Sequence, residues 1–358
     1  MENIRILAIN PGSTSTKIAV FNNTKSAFLK NIKHSAGDLD KFRVVTDQYE
    51  FRKKYILDEI DNAGIDITSL NAVIGRGGLV KPIPSGVYEV NDLMLNDLKK
   101  GVMGDHASNL GGLIAHDISS SIPSSRAFIA DPVVVDELQD VARIAGHPLF
   151  KRRSIFHALN HKAVGRIHAE SIDRKYNQLN LIIAHLGGGI SVGAHRKGRV
   201  IDVNNALDGE GPFSPERSGT LPAGCLAKLC FEDKYTLEDV KKILTGHGGF
   251  MAYFNTNDAY DIELRVKDGD PKAILIQNAM SYQIGKEIGA MAAVLKGKVD
   301  AIILTGGIAH NPILVSYVKE MVDYIAPVVI YPGEDEMRAL AMNVLMVMTG
   351  RIKARVYK

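Results

Sequence analysis

The sequence predicts an α/β protein built from two related halves. Three observations carry that prediction. Short β-branched apolar runs alternate with stretches whose apolar residues recur every three or four positions. Glycine, 33 residues of 358, gathers in turns directly after the apolar runs. One strand–glycine–strand arrangement occurs twice, about half a chain apart.

The first run, Ile4–Ile9, reads as a buried strand, and the turn residues Asn10–Thr16 break it. Lys17–Asn22 reads as the outgoing strand, which makes the opening a hairpin with a tip of glycine and hydroxyl residues. Further strands are predicted at Asn71–Gly75, leading into the glycine-flanked Arg76, and at Arg126–Ala130, ending at Asp131 and Pro132. The hairpin pattern returns at Asn180–Ala184 and Ile190–His195 around His185–Gly189, with Gly198–Val203 following. Laying Asn10 on His185 brings Gly12 onto Gly187. A third strand–glycine unit, Asp300–Leu304 with Thr305–Ile308, precedes a helix at Ile313–Tyr324, and Pro312 opens that helix at no cost. Helices are predicted at Asp136–Ile144, His157–Tyr176, Thr236–Leu244, Pro271–Leu295 and Glu334–Thr349. The domain boundary is placed near Phe150–Phe156. This gives an N-terminal domain of residues 1–150, completed by the last helix at 334–350, and a C-terminal domain of residues 151–333. No flexible tract separates them, so a hinge and a cleft are expected.

Composition narrows the function. Lys and Arg number 43 against 40 Asp and Glu, and the densest basic cluster is Lys151–Arg153, too short for a nucleic-acid track. Tryptophan is absent, which argues against stacking platforms for single strands. The longest apolar stretch, Ala339–Met348, contains Asn343 and falls short of the roughly 20 residues a membrane span needs. The amino terminus lacks a basic segment followed by an apolar core, so no secretory signal is expected. Two cysteines, Cys225 and Cys230, fit a reducing cytoplasm and are expected in the core.

Glycine turns at strand ends let backbone N–H groups approach an oxyanion. Two such tips facing each other would clasp a polyphosphate from both sides, with Ser13, Thr14, Ser15 and Thr16 adding hydroxyls. No G-x-x-x-x-G-K-[ST] occurs, and no G-x-G-x-x-G opens a helix after the first strand, which excludes a P-loop and disfavours a dinucleotide fold. His157 and His161 share a helical face, but no third ligand is evident for zinc; His161 reads as a structural hydrogen-bonding residue.

Ile9–Lys17 (INPGSTSTK), Gly75–Gly78 (GRGG), Phe156-His157 with His161, Ala184–Gly189 (AHLGGG), Glu216–Gly219 (ERSG) and Leu304–Asn311 (LTGGIAHN) resemble the acetate/butyrate kinase family. The match runs in order over essentially the whole chain. The GRGG form and Gly104–Asn109 (GDHASN) are most similar to its butyrate kinase branch. The resemblance implies two duplicated actin-like, ribonuclease H-like ATPase domains with a cleft between them, and reversible phosphoryl transfer between ATP and a short-chain fatty acid, giving an acyl phosphate and ADP. Acetate, propionate or isobutyrate kinase activity is the alternative among enzymes. An actin- or chaperone-like ATP-driven binding module, or a phosphatase-type hydrolase, is the alternative outside that activity.

Site residues follow by resemblance. Arg76 and Arg217 would hold the carboxylate and the transferring phosphoryl group, for which the guanidinium fork is suited. Asp131 and Glu336, with Asn10, would approach Mg²⁺, although Glu334 and Asp335 compete with Glu336. His157 would donate to the phosphoryl group. Gly12, Ser13, Ser15, Lys17, His185, Gly187 and Gly189 would serve the nucleotide phosphates, and Gly306, Gly307 and Asn311 the adenosine. Phe156, Gly78 and His106 would line the substrate. At Gly78 a missing side chain would leave volume for a longer acid. The family also implies a homodimer.

Overall fold

The computed structural model describes residues 3–358; Met1 and Glu2, the start of the amino-terminal segment read above, lie outside them. The chain packs into two compact units. Unit 1 runs up to Val135 and resumes at Asp335–Lys358, and unit 2 is Asp136–Glu334. The division therefore falls before the Phe150–Phe156 segment.

Unit 1 is built on a seven-stranded sheet. Its strands are β1 (Arg5–Pro11), β2 (Ser15–Asn22), β3 (Lys25–Lys33), β4 (Ala72–Arg76), β5 (Val87–Glu89), β6 (Arg126–Ala130) and a short last strand, Arg355–Val356. Their spatial order is β3-β2-β1-β4-β6-β5 and then the last strand. β1, β2 and β3 form an antiparallel meander, whereas β1, β4 and β6 run parallel. Period-two alternation sends Leu7 and Ile9 into one core with Val73 and Ile114. Ile6 and Ala8 on the other face are equally buried, and helix Glu336–Met348 packs against β1, β4 and β6.

Unit 2 repeats the plan. β7 (Asn180–Leu186), β8 (Ile190–Arg196) and β9 (Arg199–Val203) form the meander, and β10 (Ala301–Gly306) and β11 (Val328–Pro332) extend it in parallel, in the order β11-β10-β7-β8-β9. Each unit thus places an antiparallel meander beside parallel strands, and the duplication read from the two hairpins extends to five strands of each sheet, β3-β2-β1-β4-β6 matching β9-β8-β7-β10-β11. Helix Pro271–Val294, capped by Asp270, lies over β7, β8 and β9. Among the described residues no helix is long and apolar enough to cross a membrane.

Two expectations fail. The helix predicted at Asp136–Ile144 is a single 3₁₀ turn, Asp140–Arg143. The Leu138 carbonyl accepts from the Arg143 guanidinium, the Ala142 N–H goes to the Gln139 carbonyl, and the Ala142 and Arg143 carbonyls accept from Arg152, so the helical ladder does not form. Its periodic residues Val141 and Ile144 are each 75% exposed. The second failure is at the cysteines. Helix Ala223–Cys230 buries none of its residues, and Cys225 and Cys230 are both exposed.

Glycine is decisive where helix Asn109–Ser120 meets β4. A Cβ at Gly75 would lie 2.0 Å from the Gly111 carbonyl oxygen, and one at Gly111 would lie 2.4 Å from that of Arg76. The obstructing atoms are backbone and cannot rotate away. Gly75→Ala is expected to destabilise the protein by about 3 kcal/mol, the upper end of ordinary overpacking. Urea unfolding measures it, and an unchanged midpoint would contradict this account.

Candidate functional site

Three parallel strands of unit 1 end side by side. Ile9 of β1 stands opposite Gly75 of β4, and Arg76 stands opposite Ala130 of β6. Asn10, Arg76 and Asp131 therefore share the carboxyl-terminal edge of the sheet, where α/β proteins place ligands. Helix Glu336–Met348 begins at the same edge. The Arg76 guanidinium pairs with the Glu336 carboxylate at 3.0 Å, the Asn10 side-chain amide donates to Glu336 at 2.5 Å, and Arg76 donates to Asn10 Oδ1 at 3.4 Å. The neighbouring acids do other work: Asp335 caps the helix by accepting from the Arg338 N–H, and the Glu334 carboxylate lies 3.7 Å from His185 Nε2.

Asp131 is buried and holds the left-handed backbone conformation, φ +40°. Its Oδ1 accepts from the Ser85 hydroxyl at 2.6 Å and the Gly86 N–H at 2.8 Å, which aims the carboxylate. A non-glycine residue held in this region at a strand end is a mark of functional sites. Two carboxylates and an amide suit a hard cation that keeps water and phosphate ligands. Among the described residues no group of three His, Cys, Asp or Glu side chains forms an all-protein cage.

The hairpin tip has an anchor that sequence reading missed. Arg52, on helix Tyr49–Asn62, is fully buried. Its guanidinium donates to the carbonyls of Gly12, Ser13 and Ser15, to the Thr16 hydroxyl and to Gln48. Because a trans peptide points its C=O and N–H in opposite directions, the Ser13 and Thr14 N–H groups face away from Arg52, toward solvent. Arg52 remains cationic at neutral pH, although burial lowers its pKa to about 10. An arginine inside a helical pattern carries no local signal of such a role. Lys17, opposite Asn10 in the hairpin, is exposed.

Gly78 needs correction. A Cβ there would meet Asn109 Cα and Oδ1 at 2.6 Å and Leu98 at 2.7 Å. The glycine opens no volume: Asn109 fills it, accepting from the Leu79 N–H and donating to the Gly104 carbonyl. His106 is exposed and bonds Ser108 through Nδ1.

Unit 2 assembles a cluster of rings. His157 is the N-cap of helix Ala158–Ser171, and His185 ends β7. Their rings stack at 3.8 Å and 14°. His157 Nδ1 bonds the Ser191 hydroxyl at 2.9 Å. Phe156, also buried, sits edge-on to His161. His161 is fully buried and hydrogen-bonded on both ring nitrogens, as expected of a structural histidine.

The β7–β8 turn carries Gly187, whose N–H bonds the Gly189 carbonyl, and Gly188, whose carbonyl accepts from Ser214. Gly189 has a steric task as well: a Cβ there would lie 2.0 Å from Nη1 of Arg217. The Arg217 guanidinium passes over this glycine and donates to the Ala206 carbonyl at 2.6 Å. Burial lowers the Arg217 pKa, with Glu216 acting in the opposite direction. At Gly306, φ is +90° and a side chain would strike the Leu186 carbonyl, whereas Gly307 faces open space. Asn311 is buried. It caps helix Pro312–Val322 through Oδ1 and donates to Gln277, so its amide is committed to the fold and not presented to a ligand.

Buried neutral histidines set a pH dependence. Burial depresses His161 and His195 well below the ordinary value; burial and then Arg52 lower His34 to about 4, against a smaller opposing pull from Asp38. Between pH 6.5 and these depressed values the unfolded chain binds protons that the folded chain does not, so stability falls as pH falls. The expected slope is about 1.4 kcal/mol per pH unit for each histidine. Urea midpoints measured from pH 7 down to pH 5 read it; a flat profile would contradict the burial of neutral rings.

Residues 94–326 match the acetokinase family. The chain is 54% identical over 354 residues to butyrate kinase 2 of Clostridium acetobutylicum, covering 99% of each protein. Among solved structures it is similar to the acetate kinase of Porphyromonas gingivalis, with a TM-score of 0.78, 18% identity and coverage of 96% of this chain and 100% of that one. It is also similar to a propionate kinase from Francisella tularensis, with a TM-score of 0.73, 18% identity and coverage of 95% and 98%. The two structures share the two-domain actin-like fold, and the sequence match settles the kinship: this chain belongs to the acetokinase family.

Proposed function

We propose that this protein is a butyrate kinase, moving a phosphoryl group reversibly between ATP and butanoate to give butanoyl phosphate and ADP. The observation that carries this reading is 54% identity along the full length of a protein named butyrate kinase 2. The attacking group is a carboxylate, ionised at neutral pH because its reference pKa is near 4. No general base is needed. Catalysis then consists of alignment and of positive charge around the migrating group.

In unit 1, Arg76 offers its fork to the carboxylate and the phosphoryl oxygens and is oriented by its pair with Glu336. Asp131, Glu336 and Asn10 would hold Mg²⁺, which supplies charge neutralisation at phosphate oxygens. The outward N–H groups of Ser13 and Thr14, backed by the buried cation of Arg52, suit a polyphosphate, with Gly12, Ser15 and Lys17 around them. In unit 2, Arg217 and His157 donate to the phosphoryl group, and His185, Gly187 and Gly189 serve the phosphates. Gly307 leaves the backbone open to the flat base, and Gly306 serves by letting the chain pass close to the Leu186 carbonyl. Phe156 and His106 belong to the acyl side. Gly78 serves there by letting Asn109 tie the loop, and Asn311 serves by holding the helix behind the base. The protein acts in the cytoplasm as a homodimer.

A hydroxamate trap for acyl phosphate, run with acetate, propionate, butyrate and isobutyrate, tests the assignment. Butyrate is expected to give the highest kcat/KM, with acyl phosphate formed in step with ADP. A wide preference for acetate would overturn the substrate assignment, and free phosphate in place of acyl phosphate would mean a hydrolase.

A further inference from the structure

Behind His157 lies an unbroken line of hydrogen bonds. His157 Nδ1 meets the Ser191 hydroxyl at 2.9 Å, and the same hydroxyl meets His161 Nε2 at 2.9 Å. His161 Nδ1 meets His195 Nε2 at 3.1 Å, and His195 Nδ1 meets the Tyr176 hydroxyl at 2.5 Å. Helix Ala158–Ser171 and its N-cap supply His157 and His161; β8 supplies Ser191 and His195; the 3₁₀ turn Tyr176–Gln178 supplies the end. Ser191 and His195, four apart on a strand, share a face. Between them, on the same face, stands Gly193. A Cβ there would crowd both bonded nitrogens, at 3.3 Å from His195 Nε2 and 3.4 Å from His161 Nδ1. Ser191, His161 and His195 are fully buried.

Each link in such a line needs one donor and one acceptor. A neutral imidazole has one N–H and one lone pair, and the buried Ser191 hydroxyl must give its one proton to whichever of its two ring partners does not donate to it, so a single choice of direction sets every other. Burial keeps His161 and His195 neutral. A phenol is a stronger donor than a neutral imidazole N–H, and imidazole nitrogen is the stronger acceptor. Tyr176 therefore donates to His195 Nδ1. His195 then donates from Nε2 to His161, His161 from Nε2 to Ser191, and Ser191 from its hydroxyl to His157 Nδ1. A neutral His157 is left with its proton on Nε2.

We propose that Tyr176, His195, His161 and Ser191 are positioning residues that fix the tautomer of His157, so that its Nε2–H is the hydrogen-bond donor for the migrating phosphoryl group. This rests on the reading that His157 donates to that group. Nothing is transferred along the line; it acts by setting which nitrogen carries the proton, as partners of an imidazole generally do.

The test uses the full-length protein with ¹⁵N-labelled histidine. In the wild type, His157 should show a protonated Nε2 and a bare Nδ1. Tyr176→Phe, which cuts the far end, and Ser191→Ala, which cuts the near end with a small side chain, should each shift His157 toward the other tautomer. Each should lower kcat by about 10–100-fold, as loss of an outer partner of an active-site histidine does, with KM for ATP and acid and the thermal midpoint little changed. The double variant should be no worse than the weaker single variant. Unchanged His157 resonances in both variants, or a wild-type His157 protonated on Nδ1, would overturn the proposal. His157→Ala judges the underlying reading separately: full turnover in that variant would remove the donor role of His157, whatever the resonances show.

Discussion

Replacing Arg76 with alanine is expected to lower acyl phosphate formation by roughly 10³–10⁵-fold, the range an arginine contributes at a phosphoryl-transfer transition state. ATP affinity should hold, because Arg52 fastens the Gly12, Ser13 and Ser15 carbonyls of the hairpin tip, whereas Arg76 bonds only Asn10 at its start, together with Glu336. The reason for the size of the effect is charge. Arg76 stands at the end of β4 with Gly75 behind it and Gly77 packed on Pro132, and its guanidinium is the side-chain cation proposed to act at this edge of the sheet. Arg76→Lys should recover only part of the loss, since an ammonium lacks the planar fork. Single-turnover assays give the rate and equilibrium titration gives the ATP affinity. Full acyl phosphate formation in Arg76→Ala would remove Arg76 from the transfer step.

Gly189→Ala is expected to abolish activity as thoroughly as Arg217→Ala. The new methyl group would occupy the place of the Arg217 guanidinium, 2.0 Å from Nη1 and 2.8 Å from Cζ. What it meets is the far end of a flexible side chain, so the arginine moves and the strand does not. The Arg217 bond to the Ala206 carbonyl is then lost. Loss of turnover by about 10³-fold or more with a thermal midpoint near that of the wild type is the expected pattern. The double variant Gly189→Ala, Arg217→Ala should be no slower than Arg217→Ala alone, because both substitutions remove one interaction. Independent, multiplying losses would mean that Gly189 acts by some other route.

The strand-then-glycine pattern was legible because buried strands and tight turns are local events. Alternation, β-branching and turn residues are encoded within a few positions, and so the β1–β2 hairpin and the β7–β9 meander could be read from the chain, whereas β3, mostly exposed, gave no apolar run to read. The segment Asp136–Ile144 misled because its helical periodicity is real but its carbonyls are taken by Arg143 and Arg152. Gly78 misled for a related reason. A missing side chain is visible in sequence, but whether a neighbour fills the space is not.

By itself, then, the sequence determined the α/β class, the duplication, and the residue types able to face phosphate. Arg76, Arg217, Asp131 and His157 were singled out from their glycine-, proline- or motif-marked surroundings. Only the tertiary structure decided which partners each one meets. It separated Glu336, which pairs with Arg76, from Asp335, which caps a helix, although the two are adjacent in sequence. It brought Arg52 beneath the hairpin tip and lined Ser191, His195 and Tyr176 behind His157. The physical reason is range. Propensity and periodicity act over a few residues, whereas a hydrogen bond between residues far apart in the chain exists only once packing has carried its two ends together.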